Sequence, residues 1–181
     1  MRHVWATRDR GIVLAPGVKG IVVSVLIDAA FGVHPDGRSH TSSYVVVGDR
    51  GAVHCKSAKQ QIVTKLSTEV ELVALSDSSN QALHVRNFII GQVYLCAPVR
   101  IYQDNMSCMA LIDRGRSASE HARHISIRYF WLRELVDTRE ARVVHLGTKD
   151  MYANMLTKPL QGGQFKSERH GVTGWPHKDL A

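Results

Sequence analysis

The chain has 181 residues, of which 44% are hydrophobic and 22% are charged. This length and composition predict one folded domain with a core of its own and exclude a fibrous or wholly disordered chain, and no apolar run approaches the roughly 18 residues of a membrane span. The net charge of +7 favours a polyanionic partner such as nucleic acid, although a charge of this size also serves solubility alone.

Three sequential antiparallel strands are predicted in the first third of the chain. Residues 20–28 form a nearly continuous β-branched run, which is typical of a central strand that is buried on both faces. A turn at Pro35-Asp36-Gly37 precedes a second strand at residues 44–47. A tight connection at residues 48–51 then leads into a third strand at residues 52–55.

The hydrophobic period changes after residue 66. From Glu71 to Ile89, residues of one stripe recur at spacings of three and four, so residues 67–90 predict a long helix that packs on the sheet. The elements predicted beyond it are a strand at 99–103, helices at 107–112 and 125–136, a strand at 141–146, and a short helix that contains Asn154. Such a block of strands followed by alternating helices and strands predicts an α/β fold with a mixed sheet.

Three carboxylates fall where these elements end or cross. Asp28 ends the most buried strand, where it needs a cationic partner or a metal unless it turns out to solvent. Glu71 shares the inward stripe of the long helix, whereas Glu69 lies about 200° away around it; Glu71 also fits a capping box that begins at Thr68. Asp104 follows the strand at 99–103, where an Asp also serves as a turn or cap residue.

Together the three carboxylates predict a metal site. If they converge from two adjacent strands and a crossing helix, they form a negative cluster that needs cations. Divalent ions such as Mg²⁺ take oxygen ligands, and a pair of them about 3.5 to 4 Å apart clamps a phosphate while activating a water. The pattern therefore indicates hydrolysis of a phosphate ester.

Five motifs follow one another along the chain. They are Ser57-Ala58-Lys59-Gln60, residues 66–75, Tyr102-Gln103-Asp104-Asn105, residues 123–129, and Leu156-Thr157-Lys158-Pro159-Leu160. In order and spacing they resemble the ribonuclease H domain of copia-type retrotransposon Pol polyproteins, over roughly residues 20–165. Residues 5–13 resemble the stretch that joins the reverse transcriptase to that domain. We therefore expect an N-terminal extension at 1–18, an RNase H-like domain at 19–165 and a C-terminal tail at 166–181.

The resemblance implies a fold, an activity and a setting. The fold is RNase H-like, with a mixed five-stranded sheet, three antiparallel strands followed by parallel ones, flanked by helices. The activity is endonucleolytic cleavage of the RNA strand of an RNA/DNA hybrid by two Mg²⁺ ions, for which Mn²⁺ can substitute. The setting is a polyprotein with a reverse transcriptase domain, inside the cell in cytoplasmic virus-like particles or the nucleus, without a membrane partner.

Position by position, the catalytic and metal-binding carboxylates of the family match Asp28, Glu71 and Asp104. Its fourth acidic residue, in the motif A-D-x-x-T-K-P-L, falls on Asn154, which keeps the shape of Asp but supplies no charge. Three functions stay open: an active ribonuclease H, a catalytically decayed module that only binds nucleic acid, or a structural part of a larger reverse transcriptase that does not fold or act alone. Asp150 precedes Asn154 by one helical turn, about 5.4 Å along the axis, and is expected to cap the helix rather than replace the ligand.

Six basic residues are candidates for contact with the phosphates of the hybrid: Lys56, Lys59, Arg123, His124, Arg128 and Lys158. Such contacts position a nucleic acid without reading its sequence, and solvated surface charge is the alternative for each residue. His121 and His124 are three positions apart, but no further His or Cys lies nearby at ligand spacing, so they do not predict a metal site.

Overall fold

The computed structural model describes residues 8–9, 11–15, 20–114 and 123–174. Within these ranges the strands are β1 (Val23–Ala30), β2 (His40–Val47), β3 (Ala52–Lys59), β4 (Val99–Gln103) and β5 (Ala141–His145). The helices are α1 (Ser67–Gly91), α2 (Met106–Arg114), α3 (Arg123–Asp137), a 3₁₀ helix (Tyr152–Leu156) and α4 (Gly162–Thr173). None of the helices in the described part of the chain is long and apolar enough to cross a membrane.

The five strands form one mixed sheet in the order β3-β2-β1-β4-β5. β1 pairs with β2 and β2 with β3 in antiparallel fashion, whereas β1 pairs with β4 and β4 with β5 in parallel. The predicted fold class and sheet are therefore confirmed. The β-branched run marked the central strand correctly, and β1 continues two residues beyond Asp28 to Ala30.

Alternation along β1 divides the core into two layers. Val25 and Ile27 are fully buried and pack with residues of α1, α2 and α3 on one face of the sheet. Leu26 points to the other face, where it packs with Tyr44, Met151 and neighbouring residues in a smaller cluster. Successive strand residues face opposite sides, so Asp28 points to the same face as Leu26, toward the 3₁₀ helix.

The structure departs from the sequence prediction between residues 150 and 174. The short helix that contains Asn154 is a 3₁₀ helix, because Pro159 disfavours α-helical geometry at the residue before it and leaves too short a segment. α4 was not predicted, since its sequence begins with Gly162-Gly163 and is mostly polar. Its Glu168 and His170 are nevertheless buried. The predicted boundary between domain and tail, after residue 165, lies inside this helix.

Contact between α4 and the 3₁₀ helix can be tested with two glycines of α4. A Cβ at Gly171 would meet the ring of Tyr152, whereas a Cβ at Gly163 would have nothing within 4 Å. We expect Gly171→Ala to destabilise the protein by about 1–3 kcal/mol through overpacking. The matched variant Gly163→Ala should leave it unchanged or more stable by less than about 1 kcal/mol. Urea denaturation measures both, and equal effects would contradict this packing.

Candidate metal centre

The structure brings the three predicted carboxylates together. Asp28 lies near the carboxyl end of β1, Glu71 in the second turn of α1, and Asp104 directly after β4. Because β1 and β4 are parallel neighbours, their carboxyl ends meet at one edge of the sheet. α1 packs on the face opposite to the 3₁₀ helix. Among the described residues, these three form a group in which one carboxylate oxygen from each lies within 4.8 Å of the others.

Burial makes this cluster electrostatically costly. Asp28 is 3% exposed and Glu71 is 8% exposed. Burial raises the pKa of Glu71 to about 8, and the nearby Asp28 carboxylate contributes to this rise. Burial also raises the pKa of Asp28. Two buried carboxylates and the half-buried Asp104, which repel one another, are a good fit for a hard divalent cation, which takes oxygen ligands and compensates their charge.

Helix capping does not account for Glu71. The N-cap of α1 is Leu66, and within the described residues no side chain caps that helix end. It is Glu69 that binds backbone there, since its carboxylate accepts a hydrogen bond from the N–H of Lys65 at 3.1 Å. The capping-box interpretation of Glu71 was therefore wrong, and the helical period correctly placed Glu71 on the inward face.

Asp104 likewise does not cap a helix. The Oδ1 of Asn105 accepts a hydrogen bond from the N–H of Cys108 at 3.0 Å, so Asn105 satisfies the start of α2. The Oδ2 of Asp104 instead accepts a hydrogen bond from the Thr148 hydroxyl at 3.0 Å. This bond ties Asp104 to the segment that leads from β5 to the 3₁₀ helix.

Gln103 is a site residue that the sequence reasoning missed. It is 0% exposed, and its Oε1 accepts hydrogen bonds from the N–H groups of Asp104 at 2.7 Å and Asn105 at 3.1 Å. These two bonds fix the orientation of the amide, so its Nε2 donates to Oε2 of Glu71 at 3.1 Å. The sequence could have identified it, because Gln103 follows Val99 and Ile101 at the alternate positions of β4 that face the core, where a polar side chain is unusual.

A row of strand residues anchors the 3₁₀ helix over the cluster. Asp28, Ser42 and Ser57 lie opposite one another on β1, β2 and β3. The Ser42 hydroxyl donates to the carbonyl of Ala153 at 2.8 Å, and the Ser57 hydroxyl donates to the carbonyl of Leu156 at 2.9 Å. These two bonds hold the 3₁₀ helix on both sides of Asn154. Thr157 follows the helix directly, and its hydroxyl donates a hydrogen bond to Asp28.

Asn154 approaches the cluster through Lys158. Asn154 is 2% exposed; its Nδ2 donates to the carbonyl of Thr148 at 3.0 Å, and its Oδ1 accepts a hydrogen bond from the amine of Lys158. The same amine lies 3.8 Å from Oδ2 of Asp28. Asp150 is exposed, and the residue before the 3₁₀ helix is Met151, with no side-chain cap among the described residues. The predicted capping role of Asp150 was therefore wrong.

The other predicted basic residues have varied surroundings. Lys59 pairs with Asp36 at 2.5 Å, and Arg128 pairs with Asp77 of α1 at 3.2 Å. Lys56 is half-buried on β3. His121 and the side chains of Arg123 and His124 lie outside the described residues. Contact of any of these residues with a phosphate stays a prediction.

The chain is similar to parts of retrotransposon polyproteins. It is 28% identical over 141 residues to the retrovirus-related Pol polyprotein from transposon TNT 1-94 of Nicotiana tabacum, over 77% of this chain and 10% of that protein. It is 29% identical to the one from transposon RE1 of Arabidopsis thaliana, over 97% of this chain and 12% of that protein. The chain thus spans about a tenth of the length of these relatives. The resemblance read from the sequence is confirmed, although no protein-family model matches the chain.

Solved structures of RNase H proteins share the fold. LC11-RNase H1, isolated from compost, superposes with a TM-score of 0.57 at 13% identity, over 75% of this chain and 91% of that one. An N-terminal RNase H domain from Mycobacterium tuberculosis superposes with a TM-score of 0.54 at 13% identity, over 83% and 97% of the two chains. These similarities confirm the RNase H-like fold expected from the sequence.

The raised pKa of Glu71 predicts a pH-dependent stability of the metal-free protein. Its pKa of about 8 in the folded protein lies above the ordinary value of 4.5, so folding favours the protonated acid. Stability from this group is present below pH 4.5 and is lost as the pH rises through about 8. In EDTA, the free energy of unfolding of Glu71→Gln, relative to that of the wild type, should therefore rise as the pH is raised from about 5 to about 8. Denaturation curves measure this, and a stability difference between the two proteins that stays constant over this range would contradict the raised pKa.

Gln103 is expected to support metal binding through Glu71 and Asp104. We expect Gln103→Leu to weaken Mn²⁺ binding by about 10- to 100-fold, because Glu71 loses the donor that orients it. Gln60→Leu is the matched control, since Gln60 is also a buried amide but its Nε2 donates to Thr41 and Val70. Calorimetric titration gives both affinities, and an equal loss in the two variants would contradict the role of Gln103.

Proposed function

We propose that this chain is a ribonuclease H that cuts the RNA strand of an RNA/DNA hybrid and works as a segment of a retrotransposon Pol polyprotein. The observation that carries the proposal is the cluster of Asp28, Glu71 and Asp104, with oxygens within 4.8 Å of one another. The cluster lies where the carboxyl ends of two parallel strands meet, a place suited to binding a metal ion and, through it, a phosphate. LC11-RNase H1, similar in fold, has been solved in complex with an RNA/DNA hybrid, which supports this substrate.

The proposed cofactor is Mg²⁺, held by the three carboxylates, with Mn²⁺ as its substitute. A bound divalent ion would supply positive charge to the scissile phosphate and lower the pKa of a bound water. A donor side chain orients each ligand: Gln103 for Glu71, Thr148 for Asp104 and Thr157 for Asp28. The family resemblance implies a second ion toward Asn154, a residue that contributes no charge.

The proposed partners are the hybrid and the reverse transcriptase domain of the same polyprotein. The net charge of +7 supports a polyanionic substrate, because contacts to phosphates supply much of the affinity of such complexes. Lys56 and Lys59 on β3 are proposed phosphate contacts, and Lys59 would have to exchange Asp36 for a phosphate. The proposed setting, in cytoplasmic virus-like particles or the nucleus, is the one that the resemblance of the chain to Pol polyproteins implies.

Cleavage of a hybrid with a labelled RNA strand tests the proposal. The purified chain should cut the RNA strand in Mg²⁺ or Mn²⁺ and should stop in EDTA. Asp28→Asn should lower the rate by about a hundredfold or more, because one ligand charge is lost. Asp137→Asn is the control, since Asp137 is an exposed acid paired with Arg133 on α3. Unchanged cleavage by Asp28→Asn would show that the site lies elsewhere.

The position of Asn154 favours a second candidate, a module that binds hybrids without cutting them. This module would keep the fold and the positive charge but would lack the fourth acidic residue of the family. It predicts hybrid binding that weakens steeply with salt, together with no metal-dependent cleavage. The same labelled hybrid, followed by both fluorescence anisotropy and gel electrophoresis, separates the two candidates.

A further inference from the structure

A lysine ammonium lies at the edge of the acidic cluster. The Nζ of Lys158 donates to Oδ1 of Asn154 and lies 3.8 Å from Oδ2 of Asp28. Asn154 and Asp28 are 2% and 3% exposed, whereas the Lys158 side chain is 44% exposed. Lys158 thus reaches in from the surface and brings its charge to two buried side chains.

The surroundings of Asn154 are built for an amide. Its Nδ2 donates to the carbonyl oxygen of Thr148 at 3.0 Å, so its Oδ1 must be the atom that faces Lys158. An aspartate in the same place would direct its second carboxylate oxygen at the Thr148 carbonyl oxygen, and two acceptors would then repel each other. Asn154 is therefore more than an acid that has lost its charge, because its amide forms bonds on both sides.

A continuous chain of polar contacts joins two of the metal-ligand candidates through this amide. Lys158 contacts Asp28 and Asn154, and Asn154 donates to the carbonyl of Thr148. The hydroxyl of Thr148 donates to Oδ2 of Asp104 in turn. The ammonium is thereby fixed beside the cluster by the same segment that orients Asp104.

Charge balance then decides how many divalent ions the cluster needs. Three ionised carboxylates carry three negative charges, which one divalent ion and one ammonium neutralise together. Four carboxylates without the lysine, as in Asn154→Asp combined with Lys158→Met, would carry four negative charges, which two divalent ions match. The pairing of an amide with Lys158 therefore corresponds to a site with a single divalent ion.

We propose that the Lys158 ammonium takes the place of a second divalent ion at the cluster, and that Asn154 holds the ammonium there by accepting its hydrogen bond. The inference rests on the proposed function for its metal-binding cluster, and it replaces the expectation of two ions. Asn154 is then a positioning residue, which holds Lys158 against Asp28.

The number of Mn²⁺ ions bound by the protein tests the inference apart from the activity. Metal-free wild type, titrated with Mn²⁺ in a calorimeter and checked by electron paramagnetic resonance, should bind one ion per chain. Two ions would overturn the role of Lys158 while leaving the proposed ribonuclease H in place. Absence of any binding would overturn the metal-dependent function itself, and the inference with it.

Two variants and a control sharpen the result. Lys158→Met removes a positive charge 3.8 Å from Asp28, so the first Mn²⁺ should bind about three- to tenfold more tightly. Asn154→Asp combined with Lys158→Met should bind a second ion. Lys65→Met, which removes an exposed charge outside the cluster, should match the wild type. An unchanged affinity in folded Lys158→Met would overturn the proposal, and the wild-type count decides it independently of any variant.

Discussion

The constraint on which this structure depends is the need to hold three carboxylates together, two of them buried and the third, Asp104, half-buried. Asp28, Glu71 and Asp104 present oxygens within 4.8 Å of one another, and burial raises the pKa of both Asp28 and Glu71. Such a cluster opposes folding unless a cation compensates it. The free energy that the remaining packing supplies must therefore sustain a site whose repulsion is relieved by protonation of Glu71 below about pH 8 or by a cation.

The fold meets this constraint by giving each carboxylate a donor side chain. Gln103, at the end of β4, donates to Glu71, whereas Thr148 and Thr157 donate to Asp104 and Asp28. The latter two belong to the segment around the 3₁₀ helix, which Ser42 and Ser57 anchor to the sheet. Because the serines lie in register with Asp28, strand pairing itself determines where this segment sits above the acids.

Periodicity and element order in the sequence predicted the sheet, its central strand and the choice of Glu71 over Glu69. These features are local, because a side chain's face follows from its position in a strand or helix. The anchoring of the 3₁₀ helix could not be predicted in this way, since Ser42 and Ala153 are 111 positions apart. The partnership of Asn154 with Lys158 was missed for another reason: comparison with a family motif draws attention to the lost acid rather than to the amide's own partners.

Anomalous diffraction from crystals of the wild-type chain soaked in Mn²⁺ tests the metal centre most directly. We expect one manganese peak bound by oxygens of Asp28, Glu71 and Asp104, with the Lys158 amine still on Asn154. A map with two peaks that share Asp28, or with the lysine displaced from Asn154, would contradict the single-ion site. A map without manganese at these carboxylates would contradict the metal centre as a whole.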